Sequence, residues 1–433
     1  MKRLISVALA AAVAYASYSQ ETIVLSLNRC REMALESSES IQIAGGEVRK
    51  ADYDKKIAVS GYLPKFSGMG MGMYVTPDIG IGTTELSMKG AYMAGISLMQ
   101  PVFAGGRIVT GNKLARIGQT VAQAKAELAE DETILNADNS YWTYLAVLEK
   151  LKVINSYMEQ LDAILYQTET ALAADMATRE SVLKVRSRRS ELIYQKEQAQ
   201  NGAELCRMSL CVAIGVPMDT RIELVDTAFV FMDPDRTDGG IEQRPESRML
   251  SASVEAARQQ IKMTRGEYLP TLGLSVGYIY LGGIDMNGTV EMGGMSIPYT
   301  NTFEKGLGTG VLALKVPVFQ WGEGANKIKK AKIDLSNAEL ERNRNTSLMQ
   351  LELVQARQNY LSGMHLVESA AAALADAEEH LRVEKERYAV SYATLSEYLD
   401  AESAYCQARS NFTEAQVQCK INETAYLKAC GAL

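Results

Sequence analysis

The chain has 433 residues, of which 47% are hydrophobic and 22% are charged, and this composition excludes a protein that is disordered throughout. Its formal net charge of −7 argues against a nucleic-acid-binding protein, because nucleic acids require a basic surface. With only 2 histidines, the chain offers little for a histidine-rich metal site or a serine–histidine triad. No constellation of enzyme residues is present, so the sequence does not point to an enzyme.

The first 19 residues have the pattern of a secretory signal peptide. Lys2 and Arg3 form a positive end, Leu4 to Ala16 is an apolar run, and small residues follow. The alternative is the start of a buried helix. No later apolar run approaches 18 residues, so we expect no helical membrane span. The sequence predicts an exported protein that is either soluble or held in a membrane by strands.

The chain contains 6 cysteines, and an even number in an exported protein favours disulfides. A chain of this length does not depend on such bridges, and the spacing forms no small disulfide framework. We expect buried free thiols, with paired cysteines as the alternative.

The chain consists of two copies of one unit. The motif Tyr-Leu-Pro occurs at 62–64 and 268–270, and Pro-Val-Phe occurs at 101–103 and 317–319. A constant offset then aligns further residues up to the ends of the copies. The repeat is too long for a solenoid unit and indicates the duplication of half a protein. The predicted parts are a signal peptide at 1–19, repeat 1 at 20–215, a connector rich in Pro, Asp and Gly at 216–239, and repeat 2 at 240–433.

Each copy ends in a predicted helical hairpin. Long stretches without proline cover 107–174 and 322–389, and their apolar residues recur at spacings of three and four. This pattern is typical of helices that pack in coiled coils. Each long helix breaks at a short turn, Ala174–Ala177 or Val390–Ala393, and a shorter helix returns to a terminating glycine. The predicted hairpins therefore occupy 107–215 and 322–430.

Between the two motifs each copy alternates with a period of two, which predicts strands within 65–103 and 271–319. The predicted transitions between strands and helices carry Pro64, Pro101, Pro270 and Pro317. Strands with apolar side chains on one face and small or polar ones on the other suit a transmembrane barrel. Four strands per chain cannot close a barrel with an aqueous lumen. Two, three or four copies must therefore share one barrel.

The first strand, at 66–75, has two possible registers. In one, Phe66, Tyr74 and three glycines face outward; in the other, the outward residues are Met69, Met71 and Met73. A bulge within this strand is a further alternative. The methionine stripe is either an apolar strand face, which is the simpler interpretation, or a path for soft metal ions. In the second copy, Asn287-Gly288 predicts a turn, which places a loop at about 283–305 outside the cell.

The signal peptide, the duplicated unit, the two motifs and Arg244-Pro245-Glu246 at the start of the second copy together resemble the TolC-like outer-membrane efflux factor family. The resemblance covers essentially the whole mature chain. It implies a mainly α-helical protein with a membrane β-barrel part: a homotrimer with a barrel of about 12 strands in the outer membrane and an α-helical tunnel across the periplasm. It also implies the absence of catalysis and of any cofactor.

The function implied by the resemblance is that of an exit duct. The family conducts substrates passively to the outside in tripartite efflux systems, and opens at its periplasmic helical tip. The implied partners are further copies of the chain, outer-membrane lipid, a periplasmic adaptor (membrane fusion) protein and an inner-membrane RND or ABC transporter. An exit duct for type I protein secretion is the alternative. The sequence does not name the cargo.

The family's second hairpin tip often reads Arg-Tyr-x-Val-Gly, followed by acidic residues three apart. Here Arg387–Ser391 is followed by Glu397 and Asp400, and the resemblance implies that these carboxylates line a pore constriction that attracts cations. The alternative for both is a solvated helix face. Ser391 replaces the family's glycine, and Ala393 replaces a basic residue. The resemblance further implies that the adaptor docks at the hairpin tips through Ala174, Asp175, Met176, Val390, Ser391 and Tyr392.

A basic cluster follows the first tip and consists of Lys184, Arg186, Arg188 and Arg189. It either pairs with acidic residues of a neighbouring hairpin or of an adaptor, or forms a solvated helix face. Such surface pairs are worth little individually.

Two further functions compete with the exit duct. A passive porin would place most of its residues in strands, whereas about two-thirds of this chain has helical patterns. A coiled-coil surface stalk would not need duplicated hairpins with strand pairs between them. Because small-molecule efflux is the more frequent role in the family that the chain resembles, it is the first hypothesis for the function, and protein secretion is the second.

Overall fold

The structure, a computed structural model, describes residues 22–81, 84–225, 229–234 and 239–433. The predicted signal peptide at 1–19 lies outside the described residues. The chain forms two compact units. The first unit contains the described part of Met1–Gly46, Gln123–Arg248 and Asn343–Leu433. The second unit contains Glu47–Ala122 and Met249–Arg342.

Most of the described chain is helical. In chain order the elements are β1 (Thr22–Leu25), α1 (Leu27–Ser37), α2 (Glu39–Ser60), β2 (Lys65–Tyr74), β3 (Ile79–Ile81), β4 (Thr84–Ser87), β5 (Lys89–Ala104), α3 (Arg107–Ala173), α4 (Arg179–Ala213), β6 (Arg221–Leu224), α5 (Pro245–Gly266), β7 (Thr271–Met292), β8 (Met295–Lys315), α6 (Glu323–Ala389) and α7 (Leu395–Cys430). Helices α3 and α6 have 67 residues each and contain no proline, which would interrupt their hydrogen bonding. Within the described residues, no helix is both long and apolar enough to cross a membrane.

The core of the first unit contains a large cluster around Tyr141 and Trp142 of α3, whose rings meet edge to face at 5.3 Å. The short parallel pair of β1 and β6 packs there through Leu25 and Ile222. This pair was not predicted, because each strand is only 4 residues long. All 6 cysteines lie in the first unit as free thiols, and 4 of them are buried.

A buried carboxylate joins the two repeats within the first unit. Asp138 of α3 has no exposed surface. Its two carboxylate oxygens accept hydrogen bonds of 2.7 and 2.5 Å from the Arg31 guanidinium of α1. The Thr424 hydroxyl of α7 donates a third hydrogen bond of 2.7 Å to the same carboxylate. The charge is therefore paired and hydrogen-bonded, as a buried carboxylate requires.

The second unit contains an antiparallel sheet of 6 strands. β2, β5, β7 and β8 lie side by side in that order, and β4 and β3 follow along the far end of β7. The prediction of four strands is wrong in number, because residues between β2 and β5 form two additional short strands. The cause is that β7 extends beyond its pairing with β5 and leaves an edge free for Thr84–Ser87.

The pairing of β2 with β5 defines the register of the first strand. Phe66 lies opposite Leu98, and the glycines that follow lie opposite Ile96, Ala94 and Tyr92. Opposed residues of an antiparallel pair share a face of the sheet. The observed register is therefore the one in which Phe66 and the glycines share the face of Ile96. The opposite face carries Met69, Met71 and Met73.

Asn287 and Gly288 are paired residues inside β7, so the predicted turn and the predicted loop at about 283–305 are wrong. The hairpin of β7 and β8 turns instead at Gly293 and Gly294, which both have positive φ. Glycine is needed at position 288 for packing rather than for a turn. A Cβ at this position would lie 2.7 Å from the ring of Tyr299, so the glycine allows the ring to cross the strand.

Candidate functional site

The two hairpin tips have the same backbone conformation. At the first tip, between α3 and α4, Asp175 has a φ of 56°. At the second tip, between α6 and α7, Ser391 has a φ of 62°. Both values lie in the left-handed region, which favours glycine. The sequence therefore departs from the family's glycine at Ser391, but the backbone conformation that glycine suits is retained.

Two hydrogen bonds close each long helix at its tip. At the second tip, the N–H of Ser391 donates to the carbonyl of Tyr388 at 3.0 Å, and the N–H of Tyr392 donates to that of Arg387 at 2.8 Å. Asp175 and Met176 make the equivalent bonds at the first tip. This is the Schellman arrangement, which satisfies carbonyls that the end of a helix leaves free. The side chains of the tip are thereby presented on an ordered turn.

All six residues predicted to dock an adaptor are exposed: Ala174, Asp175, Met176, Val390, Ser391 and Tyr392. The exposed fraction is 83% for Met176 and 80% for Tyr392, although both side chains are large and apolar or aromatic. Each tip therefore presents apolar surface to its surroundings. A large exposed apolar residue on an ordered turn is typical of an interaction site.

Glu397 has a local structural role that the sequence analysis missed. The Thr394 hydroxyl accepts from the N–H of Glu397 at 3.3 Å, and the Glu397 carboxylate accepts from the N–H of Thr394 at 2.6 Å. This reciprocal capping box starts α7, and its Thr-x-x-Glu signature was present in the sequence. The hydrogen bonds from Thr394 hold the pKa of Glu397 below its usual range. The Glu397 carboxylate is exposed, and Asp400, one turn later, is exposed as well.

A second glutamate near this tip has the opposite environment. Glu402 is 1% exposed, and its Oε2 has no hydrogen-bond partner within the described residues. Burial raises its pKa, against the effects of Tyr398 and Lys385. Tyr398 also stacks on Tyr388, with ring centroids 5.3 Å apart, and so packs α7 against α6. Sequence reasoning did not single out Glu402, because nothing in its spacing separates it from the solvated acidic residues.

The basic cluster of α4 pairs within its own hairpin. Arg186 contacts Glu169 at 2.6 Å and Arg189 contacts Asp162 at 2.5 Å, so both bridge from α4 to α3. Lys184 pairs with Glu180, and Arg188 pairs with Glu191 and donates to the hydroxyl of Ser403. The cluster thus finds its acidic partners within its own hairpin, and Arg188 also contacts the second hairpin through Ser403 of α7. Each exposed pair stabilises the hairpin by about 0–1 kcal/mol.

The four predicted transition prolines lie near strand ends. Pro64 and Pro270 directly precede β2 and β7, and Pro317 lies between β8 and α6. Pro101 lies inside β5, at an irregularity of its pairing with β7. Proline has no N–H for a ladder, so a bulge is one of the few strand positions that accept it.

One face of the sheet in the second unit is apolar and exposed. It carries Phe66, Ile96, Val276, Leu312 and Leu314, and we call it the outer face. Tyr92, Tyr278 and Tyr280 follow at its far end, and the rings of Tyr92 and Tyr280 stack at 6.2 Å. The row from Leu272 to Tyr280 covers roughly 27 Å along the strand. An apolar band that ends in tyrosines is typical of a membrane-facing sheet.

Comparisons with known proteins agree with this geometry. Residues 240–432 match the family model of the outer membrane efflux proteins. No curated protein matches the chain in sequence at a significant level. Among solved structures, the outer membrane protein VceC of Vibrio cholerae has a TM-score of 0.76 at 16% identity, over 94% of this chain and 96% of that chain.

Two outer membrane channels have the same fold. The CmeC channel of Campylobacter jejuni has a TM-score of 0.76 at 17% identity, over 94% of this chain and 85% of that chain. The open state of the MtrE channel of Neisseria gonorrhoeae has a TM-score of 0.74 at 18% identity, over 94% of this chain and 88% of that chain. The family is one of channels rather than enzymes. The second repeat is thus matched in sequence by the family of outer membrane efflux proteins, and the chain as a whole shares the fold of these TolC-like outer membrane channels.

Proposed function

We propose that the protein is the exit duct of a tripartite efflux system, which conducts substrates passively from a periplasmic adaptor and an inner-membrane RND or ABC pump to the outside. The observation that carries the proposal is the pair of open sheet edges. Among the strands of the described residues, β2 pairs only with β5, and β8 pairs only with β7. Unpaired edges invite pairing with another chain. Because the two edges differ, copies pair head to tail, and such pairing can close into a ring.

Three copies give the ring that the family resemblance implies. Each chain contributes the four long strands β2, β5, β7 and β8, so three copies form a barrel of about 12 strands with an aqueous lumen. The outer face then contacts lipid, and the face with the methionines lines the lumen.

The two hairpin tips are the proposed docking site for the adaptor. Support comes from Met176, Val390 and Tyr392, which lie on ordered turns and are strongly exposed in the part of the chain that the structure describes. Both hairpins offer the same backbone turn, so an adaptor has two equivalent places to bind. Docking of this kind buries apolar side chains that otherwise stay in water.

Glu397 and Asp400 are the proposed pore constriction. Both carboxylates are exposed, and the lowered pKa of Glu397 keeps it ionised over the whole physiological range. Three copies would form one ring of three Glu397 carboxylates and one of three Asp400 carboxylates, and such a constriction attracts cations and repels anions. The capping box holds Glu397 at a fixed place on the first turn of α7, as a selective ring requires.

Crosslinking in cells tests the proposed docking. Tyr392→Cys and Met176→Cys place a reactive group at each tip, and Glu378→Cys is the matched control on an exposed position of α6, about 18 Å from the second tip along the helix. We expect the tip variants, and not the control, to capture the adaptor of a drug pump. Captured proteins are identified by mass spectrometry.

Two other outcomes are informative. Capture of the adaptor of a secretion-type ABC transporter would indicate that the cargo is a polypeptide rather than a small molecule. If the tip variants captured no periplasmic protein while they crosslinked to other copies of the chain, the docking proposal would be wrong.

A further inference from the structure

The sheet of the second unit changes character at an irregularity in β7. Up to Leu281, β7 and β8 pair regularly, with Leu281 opposite Lys305. The next pair joins Ile284 to Phe303, so β7 has one more residue here than β8. β8 is not interrupted, and its side chains continue to alternate. Beyond this point the two strands form what we call the distal hairpin, Ile284–Met292 with Met295–Phe303.

The polarity of the two faces reverses in the distal hairpin. Alternation along β8 from Leu312 places even-numbered residues on the outer face, and in the distal hairpin this face is polar. Asp285 and Thr302 are paired there and share a hydrogen bond of 2.7 Å. The same side also carries Glu291, Ser296 and Thr300. The outer face is therefore apolar up to Tyr280 and polar beyond it.

The opposite face of the distal hairpin is apolar. Among its paired residues Asn301, opposite Met286, is the one amide side chain. The cross-strand pairs nearest the turn are Val290 with Ile297 and Met292 with Met295, and the ring of Tyr299 crosses Gly288 toward Thr84. These side chains are strongly exposed, to 69% for Met292 and 72% for Met295. The face is continuous with the side of the sheet that carries Thr309 and the methionines of β2.

Lipid does not fit this apolar face. The tyrosines at the end of the outer face mark the edge of a membrane, and the distal hairpin lies past them. Its outward side, which would meet any lipid, is the polar one. The apolar side points in the same direction as the lumen-lining side of the sheet. In the proposed ring, the apolar side of each distal hairpin faces the apolar sides of the distal hairpins of the other copies.

We propose that the apolar faces of the distal hairpins of neighbouring copies pack against one another and form a hydrophobic constriction at the outer mouth of the duct. This inference rests on the proposed ring. Contact between identical apolar faces removes their exposed surface from water. A hydrophobic constriction also obstructs water and ions by dewetting, so the outer mouth would restrict leakage when no cargo passes.

Disulfide crosslinking tests this packing on the full-length protein in lipid nanodiscs. Met295→Cys and Ser296→Cys are adjacent residues of β8 on opposite faces, and Met292→Cys and Glu291→Cys are the corresponding pair on β7. The native cysteines all lie in the first unit and provide a constant background. Each variant is oxidised and examined for covalent dimers, and a polar maleimide reports the accessibility of its thiol. Native mass spectrometry of the same samples counts the copies.

We expect Met295→Cys and Met292→Cys to give about tenfold more covalent dimer than their neighbours, because a disulfide requires Cβ atoms about 4 Å apart. Ser296→Cys and Glu291→Cys should react faster with maleimide. Intact trimers in which Met295→Cys and Met292→Cys stay reactive and do not crosslink would overturn the inference but not the proposed function. Samples without trimers would overturn the proposed ring itself.

Discussion

Asp175 and Ser391 take the same left-handed backbone conformation at equivalent points of the two helical hairpins, with φ values of 56° and 62°. The other ends of these hairpins use Gly215 and Gly431 for the same purpose, with φ values of 72° and 69°. A residue with a side chain is strained in this region, whereas glycine is not. The tips thus carry backbone strain that the opposite ends of the hairpins do not.

Relief of this strain should stabilise the tips. We expect Ser391→Gly and Asp175→Gly each to raise the free energy of unfolding by about 0.5–1 kcal/mol, because glycine removes the cost of a left-handed side chain. Thermal unfolding of the purified protein in detergent, followed by circular dichroism, measures the change. Gly431→Ala is the matched control and should be destabilising. A loss of stability in Ser391→Gly would show that its backbone is not strained.

Glu402 should make the protein less stable as the pH rises. Burial raises its folded pKa above the ordinary value of 4.5, so the folded protein binds more protons than the unfolded chain between the two values. The stability contributed by Glu402 is complete below pH 4.5 and is lost as the pH rises through the folded pKa. We therefore expect Glu402→Gln to be more stable than the native protein at pH 7, and to lose this advantage at pH 4, in thermal unfolding.

Glu397→Gln is the matched control for this pH dependence, with the opposite sign. The folded pKa of Glu397 is lowered, so its contribution is present above pH 4.5 and is lost as the pH falls through the folded value. We expect Glu397→Gln to be less stable than the native protein at pH 7, with the difference vanishing in acid. If both variants changed stability in the same direction at pH 7, the assigned environments would be wrong.

The carboxylates of the proposed constriction should select cations. Reversal potentials in planar bilayers under a salt gradient measure the preference. We expect Asp400→Asn to reduce cation over anion selectivity, because it removes three charges from one ring. Glu397→Gln should do the same while the capping box persists, since glutamine also fits that motif. Glu378→Gln, at an exposed position of α6, should leave selectivity unchanged. Unchanged selectivity in all three variants would exclude the constriction.

The buried Asp138 should be needed for the stability of the first unit. We expect Asp138→Ala to cost about 3–5 kcal/mol, because it leaves the guanidinium of Arg31 without its buried partner. Thr424→Val removes a single hydrogen bond to the same carboxylate and should cost only about 1 kcal/mol. Chemical denaturation of the two variants gives the comparison. Equal effects would mean that the Asp138–Arg31 pair is not the dominant interaction.

The helical part of the fold could be predicted closely from the sequence. The long helices were expected at 107–174 and 322–389, and the structure has them at Arg107–Ala173 and Glu323–Ala389. Long stretches in which apolar residues recur at helical spacing and proline is absent strongly indicate helices, and turn residues mark where these helices end. The tips could be located for the same reason.

The details of the sheet could not be predicted in the same way. Gly288 suggested a turn. The structure instead requires glycine at this position because the ring of Tyr299, its partner on the neighbouring strand and 11 residues later in the sequence, lies against it. The register of β2 depended on its pairing with β5, since either of its faces could point outward by composition alone. The capping role of Glu397 could be predicted from the Thr-x-x-Glu pattern that begins at Thr394. The burial of Glu402 could not, because it depends on tertiary packing.

Electron cryo-microscopy of the full-length protein in lipid nanodiscs tests the central claim most directly, because it shows how the open edges of the sheet are paired. The account predicts a threefold ring of about 12 long strands, in which β8 of each copy pairs with β2 of the next and Phe66 and Ile96 face lipid. A sheet whose β2 and β8 edges remain open in the membrane, or a ring with another number of copies, would contradict it.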